Sequence, residues 1–416
     1  MDFIKEAVKQ NEHWETGVVS FPRLDGRFVE RELFDSLRKS VRRKSVMVIR
    51  GLRRTGKSVL ARELIKGAIK GKKPVFGAWF EFDRAMKATP DNLDSLITFF
   101  ESKGARTIVL DEIMFVPGWQ DVLKRFYDRS EIKFIVTGSS ALEMDRGSAE
   151  SLAGRFELVR VKPFSFSEWL ARKGREAPSS DLGLVKREGE LEQDCDEYLR
   201  TGGLPEAILL PLDERNEYMK NSLLDPLFYK DLPAVSSSAN PDMLHKTLEL
   251  LSASVGSTFQ LQSLAQILGC SHPTVALQIE LLERALLARV VYNRTPSIMK
   301  QKRTAKKIVI EDNGILAALR PDAPKGILAE NAVGNRLAET QFWRDPEGRE
   351  VDFLIPNKKL AIEVKYQEHI TTSDERHLRY FLARNDGWKG LVITKNHEEK
   401  GDINHVPLWK WMLRRA

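Results

Sequence analysis

Four short apolar runs mark the first third of the chain: VMVI at 46–49, VFGAWF at 75–80, TIVL at 107–110 and FIVT at 134–137. Between them, over 58–69 and 119–128, polar and apolar positions recur at helical spacing. A short run without a polar face reads as a strand covered on both sides. Strand–helix alternation then predicts a parallel sheet layered between helices. Charged and turn-prone chain at 171–197, opening ARKGREAPSSD, and at 211–241, with Pro233 and SSSANP, predicts irregular segments. After Pro241 the period is helical as far as Leu287, and from Val290 the pattern is strand-rich. No repeat of fixed period is present.

The first run leads into Gly51-Leu52-Arg53-Arg54-Thr55-Gly56-Lys57-Ser58, followed by Val59 and an amphipathic stretch. This is G-x-x-x-x-G-K-[ST] between a strand and a helix, the phosphate-binding loop in its proper context. The glycines let backbone pass close to phosphate, and the loop N–H groups with the helix N-terminus attract the anion. Lys57 is expected on the β- and γ-phosphates and the Ser58 hydroxyl on Mg²⁺. The run TIVL ends in Asp111-Glu112. Acids at the carboxyl end of a parallel strand face the ligand crevice. Asp111 is the expected holder of Mg²⁺ and Glu112 the base that orients water, unless one of them only caps the next helix. FIVT ends in Gly138-Ser139-Ser140, where Ser140 reads either as a γ-phosphate sensor or as a helix N-cap.

Taken in order, GLRRTGKS, VLDEI with VPGWQDVLKRFYD, VTGSSALEM, SLAGRFELVRVKPFSFSEWL, YLRTGGLPEA and DPLFYKDL resemble the AAA-type ATPases common in archaea and bacteria, over residues 31–232. The resemblance implies a core sheet followed by a small helical lid. It also implies that Arg155 is an arginine finger or sensor, acting on phosphate from a neighbouring copy. The alternative pairs Arg155 with Glu157 or Glu168. GGLPE (202–206) reads as a lid turn.

Residues 259–289 contain LQSLAQILG and, after Ser271 and Pro273, a second helical stretch with Val275, Ile279, Leu282 and Leu286 on one face. The pattern resembles winged-helix domains. In a DNA-binding version, Ser271, His272, Thr274 and Gln278 approach the major groove. Arg294, Lys300, Lys302, Arg303, Lys306 and Lys307 then meet phosphates. The stretch also carries Glu280 and Glu283, so a packing role is the other reading.

Toward the C-terminus, REVDFLI (349–355) and KLAIEVKY (359–366) read as successive strands. Asp352 lies on the first; Glu363 and Lys365, two apart on the second, share a face. With Glu330 in LAENAVGNRLA, this E-x-K arrangement resembles the restriction-endonuclease-like fold. In that reading Asp352 and Glu363 are hard oxygen ligands for Mg²⁺, and Lys365 positions water against phosphate. The other reading is a salt bridge between Lys365 and one acid. With KKIVIEDNGIL (306–316), these motifs resemble a C-terminal domain often fused to this ATPase group.

Composition adds bounds. The 416 residues carry 66 Lys and Arg against 59 Asp and Glu, a net charge of +7, compatible with a nucleic-acid partner. Cys195 and Cys270 alone cannot build a disulfide framework, which predicts a reducing, cytoplasmic setting. No run reaches the ~18 apolar residues of a membrane span, and MDFIKEAVKQ predicts no secretory leader. The seven histidines include no HExxH, and Trp79, Trp119 and Trp169 read as core. The expected architecture is therefore α/β: a P-loop ATPase core (1–170), a helical lid and linker (171–235), a winged helix (236–297) and a nuclease-like domain (298–416). The expected activity is ATP hydrolysis, with ATP and Mg²⁺ as cofactors and the ATP state controlling the nuclease-like domain; the alternative is an ATP-driven switch or scaffold that binds nucleic acid or protein without cleaving it. DNA is the expected partner, together with further copies of the chain or another protein, and no membrane.

Overall fold

A computed structural model describes residues 2–20, 28–138, 154–295 and 304–414. The chain divides into two compact units, Met1–Lys162 and Pro163–Ala416.

The first unit is built on β1 (Val46–Arg50), β2 (Gly77–Glu81), β3 (Thr107–Asp111), β4 (Lys133–Gly138) and β5 (Phe156–Arg160). They form one sheet in the order β2-β3-β4-β1-β5, parallel throughout. Strand side chains alternate between faces, and both faces are dry. Met47, Ile49, Trp79, Val109 and Ile135 pack with Leu60, Ala61, Leu64 and Ile65 of the helix Lys57–Ile69. Val46, Val48, Phe80, Ile108, Leu110 and Val136 pack instead with the helices Pro90–Ser102 and Trp119–Arg129. The run at 75–80 becomes strand only from Gly77, because Pro74–Phe76 makes a 3₁₀ turn opened by proline.

β2 is an edge strand, and side-chain amides close it. The Asn11 amide donates to the Trp79 carbonyl and its oxygen accepts the Trp79 N–H, both at 2.7 Å. Gln10 repeats the pattern on Glu81, whose N–H it accepts at 2.7 Å. The Trp14 indole donates to the Gly77 carbonyl at 2.8 Å. Two amides thus mimic a paired strand where backbone would otherwise stay open to association.

The second unit holds a mixed sheet in the order β12-β11-β10-β9-β8-β6-β7. Its strands are β6 (Ala288–Asn293), β7 (Lys306–Ile310), β8 (Gln341–Arg344), β9 (Glu350–Ile355), β10 (Leu360–Lys365), β11 (Lys389–Thr394) and β12 (Ile403–Pro407). Helices Pro241–Ala253, Leu261–Leu268 and His272–Arg284 precede it. Ser271 caps the last of these by accepting the Thr274 N–H at 3.3 Å, and Gly269 ends the one before in left-handed backbone. Val275, Ile279, Leu282 and Leu286 are buried.

This partition differs from the boundaries expected at 170/171 and 297/298. The helix Phe166–Arg172 belongs wholly to the second unit, where the Trp169 indole donates to the Thr201 hydroxyl at 2.9 Å. β6 sits inside the seven-stranded sheet, antiparallel to β7 and parallel to β8. The glycine pair at 202–203 is dictated by close packing: a Cβ on Gly202 would lie 2.1 Å from the Asp312 carboxyl and one on Gly203 2.3 Å from the Phe164 carbonyl, while Asp312 accepts the Gly203 N–H at 2.7 Å.

Replacing Asn11 by Ala leaves the buried peptide groups of Trp79 unpaired. We expect the first unit to lose about 1–3 kcal/mol in urea unfolding; an unchanged midpoint would contradict the edge-closing role.

Candidate functional site

The loop after β1 is fixed by close packing. A Cβ on Gly51 would lie 2.3 Å from the Val161 carbonyl, so only glycine fits. Gly56 takes a left-handed φ of 86° and opens the helix Lys57–Ile69. The Thr55 hydroxyl ties back to the Leu52 carbonyl at 2.8 Å, and the Lys57 ammonium donates to the carbonyls of Gly51 and Leu52 at 3.1 Å each. Leu52, Thr55 and Lys57 are buried, while Arg53, Arg54, Ser58 and Val59 are half-buried. Buried Arg31, which sequence reasoning passed over, donates to the Thr55 carbonyl at 3.0 Å and the Lys162 carbonyl at 2.6 Å. It braces the loop from a segment far away in sequence.

Asp111 ends β3 almost fully buried, and that burial raises its carboxyl above the usual range. The Thr137 hydroxyl donates to one oxygen and the Ser58 side chain counters the shift. The other oxygen, Oδ2, is buried without a hydrogen bond. An orphaned buried carboxylate oxygen beside a serine hydroxyl suits a hard divalent cation, so the residues fit Mg²⁺. Glu112 follows in left-handed backbone (φ 52°), and its N–H donates to the Thr137 hydroxyl at 3.2 Å. Such backbone costs a non-glycine residue on the order of 1 kcal/mol and clusters at functional sites. Thr137 therefore ties the Asp111 carboxylate to the Glu112 backbone, a role that the sequence motif did not single out.

Arg155 lies elsewhere. Its carbonyl accepts the N–H of Val46, the first residue of β1, whereas the phosphate loop follows Arg50 at the other end. A five-residue strand spans about 16 Å at ~3.3 Å per residue. Arg155 pairs with Asp128 at 3.2 Å, rather than with Glu157 or Glu168. Within its own chain it is not brought to the loop. Ser140 lies outside the described residues.

In the second unit, Glu330, Asp352, Glu363 and Lys365 meet a residue read differently from sequence. Lys307 is buried, and its ammonium lies 2.7 Å from Glu330, 2.8 Å from Glu350 and 2.9 Å from Asp352. It cannot contact nucleic-acid phosphate there, which corrects its place in the expected basic stretch. Lys306 is buried as well, and Lys300, Lys302 and Arg303 lie outside the described residues. Burial alone would strip Lys307 of its proton, but Asp352, Glu330 and Glu350 outweigh it and hold the ammonium well above its ordinary value. Burial pushes Asp352 up, yet Lys307 and Lys365 outweigh that and keep it low. Its second oxygen accepts the Val364 N–H at 2.9 Å. Burial, reinforced by Asp352, raises Glu363 to about 8 and Glu330 to about 7. Lys365 pairs with Glu363 at 2.8 Å, leaving Glu363 Oε2 buried and unpartnered. Lys307 already supplies the positive charge that Asp352 was expected to take from Mg²⁺. The cluster as arranged does not fit a divalent ion at Asp352.

At the helix His272–Arg284, Ser271 and His272 are exposed, but Gln278 is buried and cannot face a groove, contrary to the expectation for it. Glu283, raised by burial, accepts the Val290 N–H at 2.8 Å. Among the described residues no helix is long and apolar enough to cross a membrane.

Residues 43–170 match the family model of an AAA domain, 192–326 that of the domain of unknown function DUF8612, and 325–411 that of DUF4143. The chain thus carries an AAA-type P-loop domain on its parallel sheet. It is 27% identical over 399 residues to the uncharacterized protein MJ1544 of Methanocaldococcus jannaschii, covering 88% of each chain. It is 23% identical over 393 residues to an uncharacterized protein of Haemophilus influenzae, covering 89% of this chain and 94% of the other. Among solved structures, the Orc1 protein of Aeropyrum pernix in complex with DNA aligns with 15% identity and a TM-score of 0.26, over 76% of this chain and 97% of that one.

The cluster has a pH signature. Carboxyls held near 7 and 8 keep protons in the folded state that the unfolded chain releases near 4.5, so their contribution falls as pH rises from about 5 to 8. Lys307→Met should cost about 3–5 kcal/mol at pH 8 and clearly less at pH 5, read by chemical unfolding in a chelator. Equal losses at both pH values would contradict the buried-cation role.

Proposed function

We propose that the chain is a Mg²⁺-dependent ATPase whose nucleotide state controls a DNA-associated second unit. The observation that carries this reading is the end of β3: Asp111 with its unpartnered Oδ2 beside Ser58, and Glu112 held next to it by Thr137. Lys57 neutralises the β- and γ-phosphates. Ser58 and Asp111 hold Mg²⁺, which when bound offsets phosphate charge. Glu112 orients the attacking water in line with the γ-phosphate, and the loop N–H groups stabilise developing charge. Arg155, remote from its own loop, acts only if it reaches a neighbouring copy, so this role presupposes an assembly.

Support for DNA association comes from the three helices followed by the β6–β7 hairpin, a winged-helix-like succession with an exposed N-terminus at Ser271 and His272. The positive net charge agrees with it. For the C-terminal part we favour a nuclease-like fold that binds without cutting, because Lys307 occupies the cation position at Asp352. The second reading, phosphodiester cleavage, is favoured by Glu363 Oε2 lying unpartnered while Lys365 pairs with Oε1. An Mg²⁺-dependent cleavage assay on several DNA forms, with Lys365→Ala beside wild type, decides between them. Cleavage lost in the variant supports the second reading; no cleavage in either supports the first.

Lys57→Ala should abolish ATP turnover. Glu112→Gln should keep nucleotide binding and reduce turnover by at least ~100-fold, in keeping with loss of a general base. A tenfold or smaller loss in steady-state phosphate release would remove Glu112 from that role.

A further inference from the structure

A second constellation lies at the sheet edge, in residues that the phosphate loop and the carboxylate cluster do not use. β12 carries His405. The segment before it folds back so that Glu399 and His405 pair as an antiparallel bridge, exchanging hydrogen bonds of 3.2 and 2.8 Å. His397 lies two residues before Glu399, so both side chains share a face, while Glu398 between them turns away to Lys410 at 2.7 Å. The result is H-x-E opposite a histidine. One ligand atom from each of His397, Glu399 and His405 falls within 4.8 Å of the others.

The spacing is chemically specific. His397 Nε2 lies 3.2 Å and His405 Nδ1 3.5 Å from the same oxygen, Glu399 Oε2. Ligands at 2.0–2.1 Å from a tetrahedral zinc ion are separated by ~3.3 Å. The surroundings prepare His405 for this task. Its ring is buried, and neither nitrogen finds an aligned hydrogen bond. Nε2 lies 2.6 Å from Oε1 of Glu375, itself buried and anchored by the Arg379 guanidinium at 2.6 Å. A carboxylate behind one ring nitrogen draws the proton to that side and leaves the other nitrogen's lone pair for a metal, the usual carboxylate–histidine–zinc relation. Nδ1 of His405 and Nε2 of His397 thus converge on one carboxylate oxygen.

We propose that His397, Glu399 and His405 form a site for a first-row transition cation, zinc foremost, with Glu375 orienting His405 from behind. Two imidazole nitrogens and a carboxylate suit zinc better than magnesium or calcium, which prefer oxygen throughout. The fourth position is open to water, since His397 and Glu399 are both partly exposed. The ion would clamp the segment 395–402 onto β12, the edge strand. The site is separate from the carboxylate cluster: register runs from Glu363 through Val392 to His405, two strand spacings or ~10 Å.

The test uses the full chain, free of any affinity tag and stripped with a chelator. Zinc is titrated in competition with a chromophoric chelator, and Co²⁺ serves as a spectroscopic probe of coordination. We expect one ion per folded chain, visible absorption of low-coordinate cobalt and a raised melting temperature with zinc. His397→Ala, a change at a partly exposed side chain, should weaken zinc binding by at least ~100-fold without changing the metal-free fold. Glu375→Gln should weaken it about 10–100-fold. Absence of stoichiometric uptake by folded wild type, or equal affinity in wild type and His397→Ala, would overturn the site.

Discussion

A carboxyl group out of water needs a reason to be there, and Asp111 is the group on which the first unit turns. It ends a strand with neighbours on both sides, so burial resists its ionisation. Thr137, one strand over, supplies a hydroxyl to Asp111 and takes the N–H of Glu112. The adjacent acids are thereby given separate tasks: one faces Ser58 with an unpartnered oxygen, the other is held in strained backbone at the crevice. The phosphate loop completes the arrangement from the next strand. Its own shape is imposed by the Val161 backbone above Gly51 and by Arg31 behind Thr55.

The second unit solves a related problem differently. Four carboxyl groups, Glu330, Glu350, Asp352 and Glu363, gather on and beside one sheet. Two ammonium groups, Lys307 and Lys365, come with them. Both sites leave one carboxylate oxygen without a hydrogen bond, Oδ2 of Asp111 and Oε2 of Glu363, but the cluster of the second unit also brings cations on its own chain. In the proposed function, that difference separates turnover in one unit from recognition in the other.

Much of the first unit was legible because strands buried on both faces appear as short apolar runs, and the phosphate loop has fixed residues at fixed positions. The seven-stranded sheet was harder to read. Asp352, Glu363 and Lys365 fall on the strands expected for them, yet Lys307 looked like one more base in a positive stretch. Its partners come from residues 330, 350 and 352, and no local pattern announces a charge neutralised by distant acids. Gln278 misled for the converse reason: a polar side chain on a helix reads as exposed until the packing of its neighbours is known. Arg155 needed the strand register, which puts it at the end of the sheet away from the loop. The pairing of β6 with β7 and β8 joins residues on either side of position 297, and no local change in composition announces it.

In the proposed function, Asp111 acts on ATP through a divalent cation. Calorimetry of ATP binding with Mg²⁺ and with chelator, on wild type and on Asp111→Asn, tests this directly. Wild type should bind ATP at least ~10-fold more tightly with Mg²⁺, equivalent to about 1.4 kcal/mol, and the variant should retain metal-free binding while losing that gain. Failure of folded wild type to bind ATP, or an Mg²⁺ gain that survives the substitution, would contradict it.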